Sequence, residues 1–225
     1  MKIYFDGCSW TKGHTLTNQE EERFSKLVSQ EFGAEEYNIA EGGGSNDRIV
    51  RNLLVENNIE EYDLAVIEMT FPARTEYYSG VPRQKRVFLS GWISVNPMYN
   101  FSHMIWKMKQ KILEDIIVHK RGPRKESISE KFNEYQKFWS DYYRTVTTKE
   151  FFETKEKIQK LTIENHCQVK GVPLVICTIN PWTTIENFEL QMNNKENNPS
   201  GKGHPDAEGH RILADKIIDI IKSKL

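Results

Sequence analysis

The sequence predicts a three-layer α/β/α sandwich around a mostly parallel sheet, and three observations carry that expectation. Apolar runs recur at residues 2–5, 37–40, 64–69 and 172–179, and the last two are near-continuous, as in strands buried on both faces. Between them lie stretches whose apolar residues return at helical spacing. Alternating strands and helices form parallel sheets with right-handed crossovers, and ligands bind at the carboxyl ends of such strands.

Taken in order, residues 2–5 read as a short buried first strand. Residues 20–32 carry Phe24, Leu27, Val28 and Phe32 on one helical face, and Gly33 stops that helix. A second strand at 37–40 leads into the loop 41–46, and residues 47–56 form a helix with Ile49, Leu53 and Leu54 on one side. Ser45 or Asn46 caps it. Residues 64–69 are a central strand. From 71 to 125 the periodicity is poor and aromatics, prolines and basic residues mix, which reads as an insertion with a helix at 102–118. Helices are expected at 131–143 and 149–167, a buried strand at 172–179 and a polar loop at 191–203. A terminal helix follows, capped by Asp206, with Ile212, Leu213, Ile217, Ile220 and Ile221 on its apolar face. The whole of 1–225 reads as one domain.

Composition narrows the function. The chain has 31 basic and 32 acidic residues, a net charge of −1, so an electrostatic nucleic-acid binder is not expected. Three cysteines, Cys8, Cys167 and Cys177, have neither CxxC nor metal spacing, which predicts a reducing, cytoplasmic setting and no metal. No signal-peptide core and no membrane-spanning apolar run is visible, so no membrane partner is expected. Oligomeric state leaves no trace in the sequence.

The rim rule gathers four loops, 7–9, 42–46, 70–74 and 180–204. They contain what a serine hydrolase needs: a hydroxyl at an exposed turn, a base and oxyanion donors. Ser9 follows the first strand, with Gly7 allowing a sharp turn. His204 precedes the terminal helix. Gly43 and Gly44 offer unobstructed backbone N–H groups, and Asn46 offers a side-chain amide. Cys8 is the competing nucleophile, but adjacent side chains in such a turn point different ways. His210 reads as a structural or solvated residue of the terminal helix.

Three motifs resemble one family. Gly7-Cys-Ser-Trp-Thr-Lys-Gly13 is similar to a G-x-S-[FW]-T-x-G block. Asn38-Ile-Ala-Glu-Gly-Gly-Gly-Ser-Asn-Asp-Arg-Ile-Val-Arg51 meets every fixed position of N-x-A-x-x-G-x-S-N-x-x-I-x-R. His204-Pro-Asp-Ala-Glu-Gly-His210 is similar to a terminal block with His-Pro and then Gly-His. Together they resemble the SGNH (GDSL-like) hydrolases, in the divergent form found in bacteriophage and marine-virus genomes. The resemblance implies a flavodoxin-like sandwich and cofactor-free ester hydrolysis through an acyl-serine. Ser9 would be the nucleophile, His204 the base, and the Ser9 and Gly43 N–H groups the oxyanion donors. It also implies a small acyl ester or an acylated glycan as substrate, with removal of acetyl groups from carbohydrate as one form. For a viral chain the location becomes host cytoplasm or virion.

Two positions depart from the family pattern. Glu68-Met-Thr-Phe-Pro-Ala-Arg74 has Pro72 where an oxyanion Asn would stand, so a side-chain donor falls to Asn46, Thr70 or Arg74. Gly201 occupies the place of the Asp three residues before His204, leaving Asp6 or Glu68 as supports or a Ser–His dyad. These departures define the competing expectation, a non-catalytic glycan- or protein-binding module on the same scaffold.

Overall fold

The computed structural model describes residues 1–79, 91–95, 137–138, 140–143, 145, 147–200 and 203–224. β1 (Lys2–Asp6), β2 (Glu35–Asn38), β3 (Leu64–Met69), β6 (Leu174–Thr178) and β7 (Leu190–Gln191) form one sheet in the order β2-β1-β3-β6-β7, and every pairing is parallel. β4 (Thr75–Ser79) and β5 (Gly91–Val95) make a separate antiparallel pair.

The alternation of side chains along each strand explains the layers. Ile3, Phe5, Val66, Val175 and Cys177 face one side. There they meet Phe24 and Val28 of α3 (Phe24–Glu31) and Leu213, Ile217 and Ile221 of the terminal helix, α6 (Ala207–Lys224). Tyr4, Ala65, Ile67 and Ile176 face the other side, against Ile49 of α4 (Asn46–Arg51) and Ile163 and Cys167 of α5 (Lys149–Lys170). All six residues of β3 are buried, as expected of a central strand covered on both faces. The α/β/α sandwich is thus present.

Several boundaries differ from the expectation. The helix at 20–32 is two helices, α2 (Gln19–Glu22) and α3, separated by Arg23 in an extended conformation. Arg23 turns out to make a two-pronged ion pair with Glu36 of β2, at 2.9 Å on each prong. The Phe24 N–H is satisfied by His210 Nδ1 at 3.2 Å. A side-chain partner from the far end of the chain therefore takes the place of the helical bond. α4 widens into a π-helical turn over Asn52–Glu56, and its cap is Ser45, whose Oγ accepts from Arg48 N at 3.2 Å. The polar stretch before 204 begins with β7, too short to show periodicity. The expected helix at 102–118 and most of that at 131–143 lie outside the described residues.

Candidate functional site

The carboxyl ends of β1, β3 and β6 open onto one rim, with the loop after β2 beside them. β1 ends at Asp6, and Gly7 turns the chain into α1 (Ser9–Lys12). A Cβ at Gly7 would stand 2.5 Å from Thr11 Oγ1 and 2.8 Å from Glu68 Cβ, so the turn is closed to any side chain. Glu68, buried near the end of β3, fastens this turn from below. Its carboxylate accepts from Thr11 N at 2.8 Å, from the Thr11 hydroxyl, from Cys8 N at 3.4 Å and from Cys8 Sγ at 2.8 Å. Burial raises the Glu68 carboxyl above the usual range, while the Cys8 and Thr11 donors and the charge of Arg74 oppose that rise.

The turn directs Cys8 and Ser9 differently. Cys8 is fully buried, and burial with the neighbouring Glu68 charge pushes its thiol up to about 11. Its thiolate is therefore scarce near neutrality, which removes the reactive form of a cysteine nucleophile. Ser9 Oγ instead reaches His204 Nε2 at 2.7 Å, although the two residues are 195 positions apart. Burial holds the His204 imidazole below its ordinary range, helped by the positive charges of His14 and Arg74. The ring is thus neutral near pH 7 and able to take a proton. His14 lies beside it, with ring centroids 5.8 Å apart.

The loop after β2 lies against the same turn. Glu41 N donates to Gly7 O at 3.3 Å, and a Cβ at Gly44 would be 3.2 Å from that carbonyl. Gly43 has φ +79°, and among the described residues no group accepts from its N–H or from that of Ser9.

The remaining residues expected at the site are placed as follows. Asn46 closes a two-way bridge to Thr70: its amide donates to Thr70 O at 3.0 Å and its oxygen accepts from Thr70 N at 2.7 Å. Arg74 is buried, with Nη1 2.5 Å from Thr70 Oγ1 and 3.3 Å from Gly44 O, its guanidinium 5.1 Å from the centroid of the Phe71 ring. Among the described residues Arg74 Nε has no hydrogen-bond partner. Asp6 is committed elsewhere: its carboxylate takes Arg48 Nη1 at 2.7 Å, Gly7 N at 2.7 Å and Asn52 Nδ2 at 3.0 Å. Neither Asp6 nor Glu68 touches His204, and among the described residues no carboxylate hydrogen-bonds to it. His210 is buried and stacked on Phe24, with no hydrogen bond to Ser9 or His204 among the described residues.

Sequence reasoning missed the clamp role of Glu68, the anchor Arg48 and two bonds around the histidine. Trp10 Nε1 donates to Gly203 O at 3.1 Å, and Thr15 Oγ1 donates to Pro205 O at 3.0 Å. Trp10 belongs to the first motif, but nothing in its spacing points to a carbonyl 193 residues away.

The fold and site define an α/β protein with a hydrogen-bonded Ser–His pair at the carboxyl rim of its sheet, beside backbone donors with no acceptor among the described residues. No family model and no curated protein sequence matches the chain. Among solved structures it is similar to the psychrotrophic esterase EstA from Pseudoalteromonas sp., at 12% identity over 99% of this chain and 97% of that one, TM-score 0.42. It is also similar to a GDSL-like lipase from Bacteroides thetaiotaomicron, at 17% identity over 100% and 89%, TM-score 0.35. A third is a catalytic mutant of Axe2, an acetylxylan esterase from Geobacillus stearothermophilus, at 12% identity over 97% and 92%, TM-score 0.39.

Proposed function

We propose that the chain is a serine esterase working through an acyl-serine, with residues 1–225 forming one hydrolase domain and 71–125 an insertion in it, most of which lies outside the described residues. The observation that carries this reading is the 2.7 Å contact between Ser9 Oγ and His204 Nε2. Nucleophile and base within hydrogen-bond reach are the minimum for activating a hydroxyl.

In the forward step Ser9 Oγ attacks the ester carbonyl carbon while its proton passes to His204 Nε2. The carbonyl oxygen gathers the negative charge and is met by the N–H groups of Ser9 and Gly43. The intermediate collapses, the ester C–O bond breaks, and His204 returns the proton to the departing alkoxide. Water then repeats the sequence on the acyl-serine and releases the acid. For Nε2 to accept, the neutral ring must carry its proton on Nδ1. Of the three side chains offered for the missing Asn, none is singled out: Arg74 Nε has no hydrogen-bond partner among the described residues but is itself sealed from solvent. The Asn46 side chain is spent on the Thr70 backbone, and the Thr70 hydroxyl accepts from Arg74 Nη1.

An acylated glycan suits the surroundings. Phe71 follows β3 and Trp182 follows β6, so both lie at the active rim, ring centroids 6.0 Å apart, with Trp182 69% exposed. An exposed ring is a face on which a sugar can stack. The competing reading, a binding module without catalysis, is favoured by the lack of a described carboxylate on His204.

Turnover decides between them. Wild-type protein is expected to hydrolyse p-nitrophenyl acetate and release acetate from acetylated xylan. Ser9→Ala should lower kcat by about a thousandfold or more, while Cys8→Ala should keep the greater part of it. No turnover by wild-type protein would favour the binding module, and equal non-zero rates for wild type and Ser9→Ala would overturn Ser9 as the nucleophile.

A further inference from the structure

We propose that the side chains of Trp10 and Thr15 take over the orienting task that a carboxylate performs on other catalytic histidines, by clasping the backbone on both sides of His204. The inference rests on the esterase reading for its catalytic meaning, but the clasp is a statement about His204 alone.

Among the described residues no carboxylate hydrogen-bonds to His204, so the hold on this base falls to its own backbone. The bonds supplying that hold bracket the residue: Trp10 Nε1 takes the carbonyl of Gly203 and Thr15 Oγ1 takes that of Pro205. Pro205 restricts His204 itself to extended backbone angles. Both donors belong to the segment that carries the nucleophile. Trp10 is the second residue of α1, and Thr15 lies just past the turn in which His14 N donates to Ser9 O at 3.0 Å. The indole is 3% exposed and packed in the core. Serine and histidine are thereby referenced to one rigid unit rather than to two independent loops.

The clasp fixes position but brings no charge. The groups acting electrostatically on His204 are His14 and, from the loop after β3, Arg74, and both oppose its protonation. An orienting carboxylate would have raised the imidazole's affinity for a proton, and a pair of neutral donors on flanking carbonyls does not. Trp10 and Thr15 are therefore positioning residues, and two signatures follow. Releasing the clasp should lower kcat with little change in KM. It should also let water reach the ring and move its titration upward toward the ordinary value.

The test uses the full chain as wild type, Trp10→Phe, Thr15→Val and Thr15→Ser. Trp10→Phe keeps an aromatic ring in the core and removes the donor together with part of the indole's bulk, so Thr15→Val is the cleaner loss of a donor, and Thr15→Ser keeps the hydroxyl. In Trp10→Phe and Thr15→Val, kcat on p-nitrophenyl acetate should fall between about fivefold, the worth of one hydrogen bond, and about a hundredfold, the cost of a misplaced reacting group. Thr15→Ser should stay near wild type. NMR titration of His204, its signal identified by its loss in His204→Gln, should shift upward in the same two variants. Unchanged titration and kcat in both variants, whatever happens to the unfolding midpoint, would overturn the clasp and leave these residues as packing. A shifted titration in a protein that hydrolyses no ester would uphold the clasp and overturn the esterase reading.

Discussion

At the scale of single residues, the choice between Cys8 and Ser9 is made by direction. The thiol points down to Glu68 and is held protonated by burial, while the hydroxyl points out to His204. The same local field sets the pH dependence. Burial foremost, and then His14 and Arg74, keep His204 below its ordinary range near 6.5. The base form is neutral, so activity should rise with pH through the lowered value and be level above about 6.5. His14→Ala removes one of the opposing charges, and the acid limb of the kcat profile should move up. A limb that stays in place would show that the His14 charge is screened by solvent. The residues of this site differ in how legible they were. Ser9, Gly43 and His204 stand at fixed motif positions and could be named. Trp10, Thr15 and Glu68 act through bonds to distant backbone or to a turn, for which no residue pattern exists.

At the scale of elements, the turn from β1 to α1 is the structural centre of the site. It is built from the absence of a side chain at Gly7 and from four donors converging on Glu68. Gly7→Ala forces a Cβ onto Thr11 and Glu68 and should destabilise by about 1–3 kcal/mol, as overpacking does. Gly42→Ala, where a Cβ meets nothing within 4 Å, should change stability by no more than about 0.5 kcal/mol. Urea unfolding of the two variants checks the contrast, and equal losses would contradict the account of the turn. Helix positions were legible from apolar spacing, whereas the break at Arg23 was not. Its cause is an ion pair with Glu36 and a bond to His210, both tertiary, and the apolar pattern runs through it unchanged.

At the scale of the whole molecule, the parallel sheet is what brings residues 9, 43, 74 and 204 to one rim. The two-faced core followed from alternation and the near-continuous central strands, and so the α/β/α architecture could be anticipated, whereas the strand order β2-β1-β3-β6-β7 is read from the structure alone. The short edge strand β7 could not, since two residues carry no period. Stability couples to pH through His210, which burial lowers to about 4. The unfolded chain then binds more protons than the folded one between about pH 4 and 6.5, so this residue's contribution is complete above 6.5 and is lost as pH falls toward 4. The loss amounts to about 3 kcal/mol over that window. His210→Asn, which keeps an acceptor for Phe24 N but does not titrate, should flatten the fall by that amount in denaturation series at several pH values. An unchanged slope would place the acid sensitivity elsewhere.

The central claim, that Ser9 is an activated nucleophile with His204 as its base, is tested most directly by covalent labelling with a serine-directed phosphonate followed by peptide mass mapping. One adduct is predicted, on the peptide containing Ser9 and on its hydroxyl. It should be absent from Ser9→Ala, retained in Cys8→Ala and formed far more slowly in His204→Ala. No adduct on wild-type protein, or one that survives Ser9→Ala and is lost with Cys8→Ala, would contradict the account.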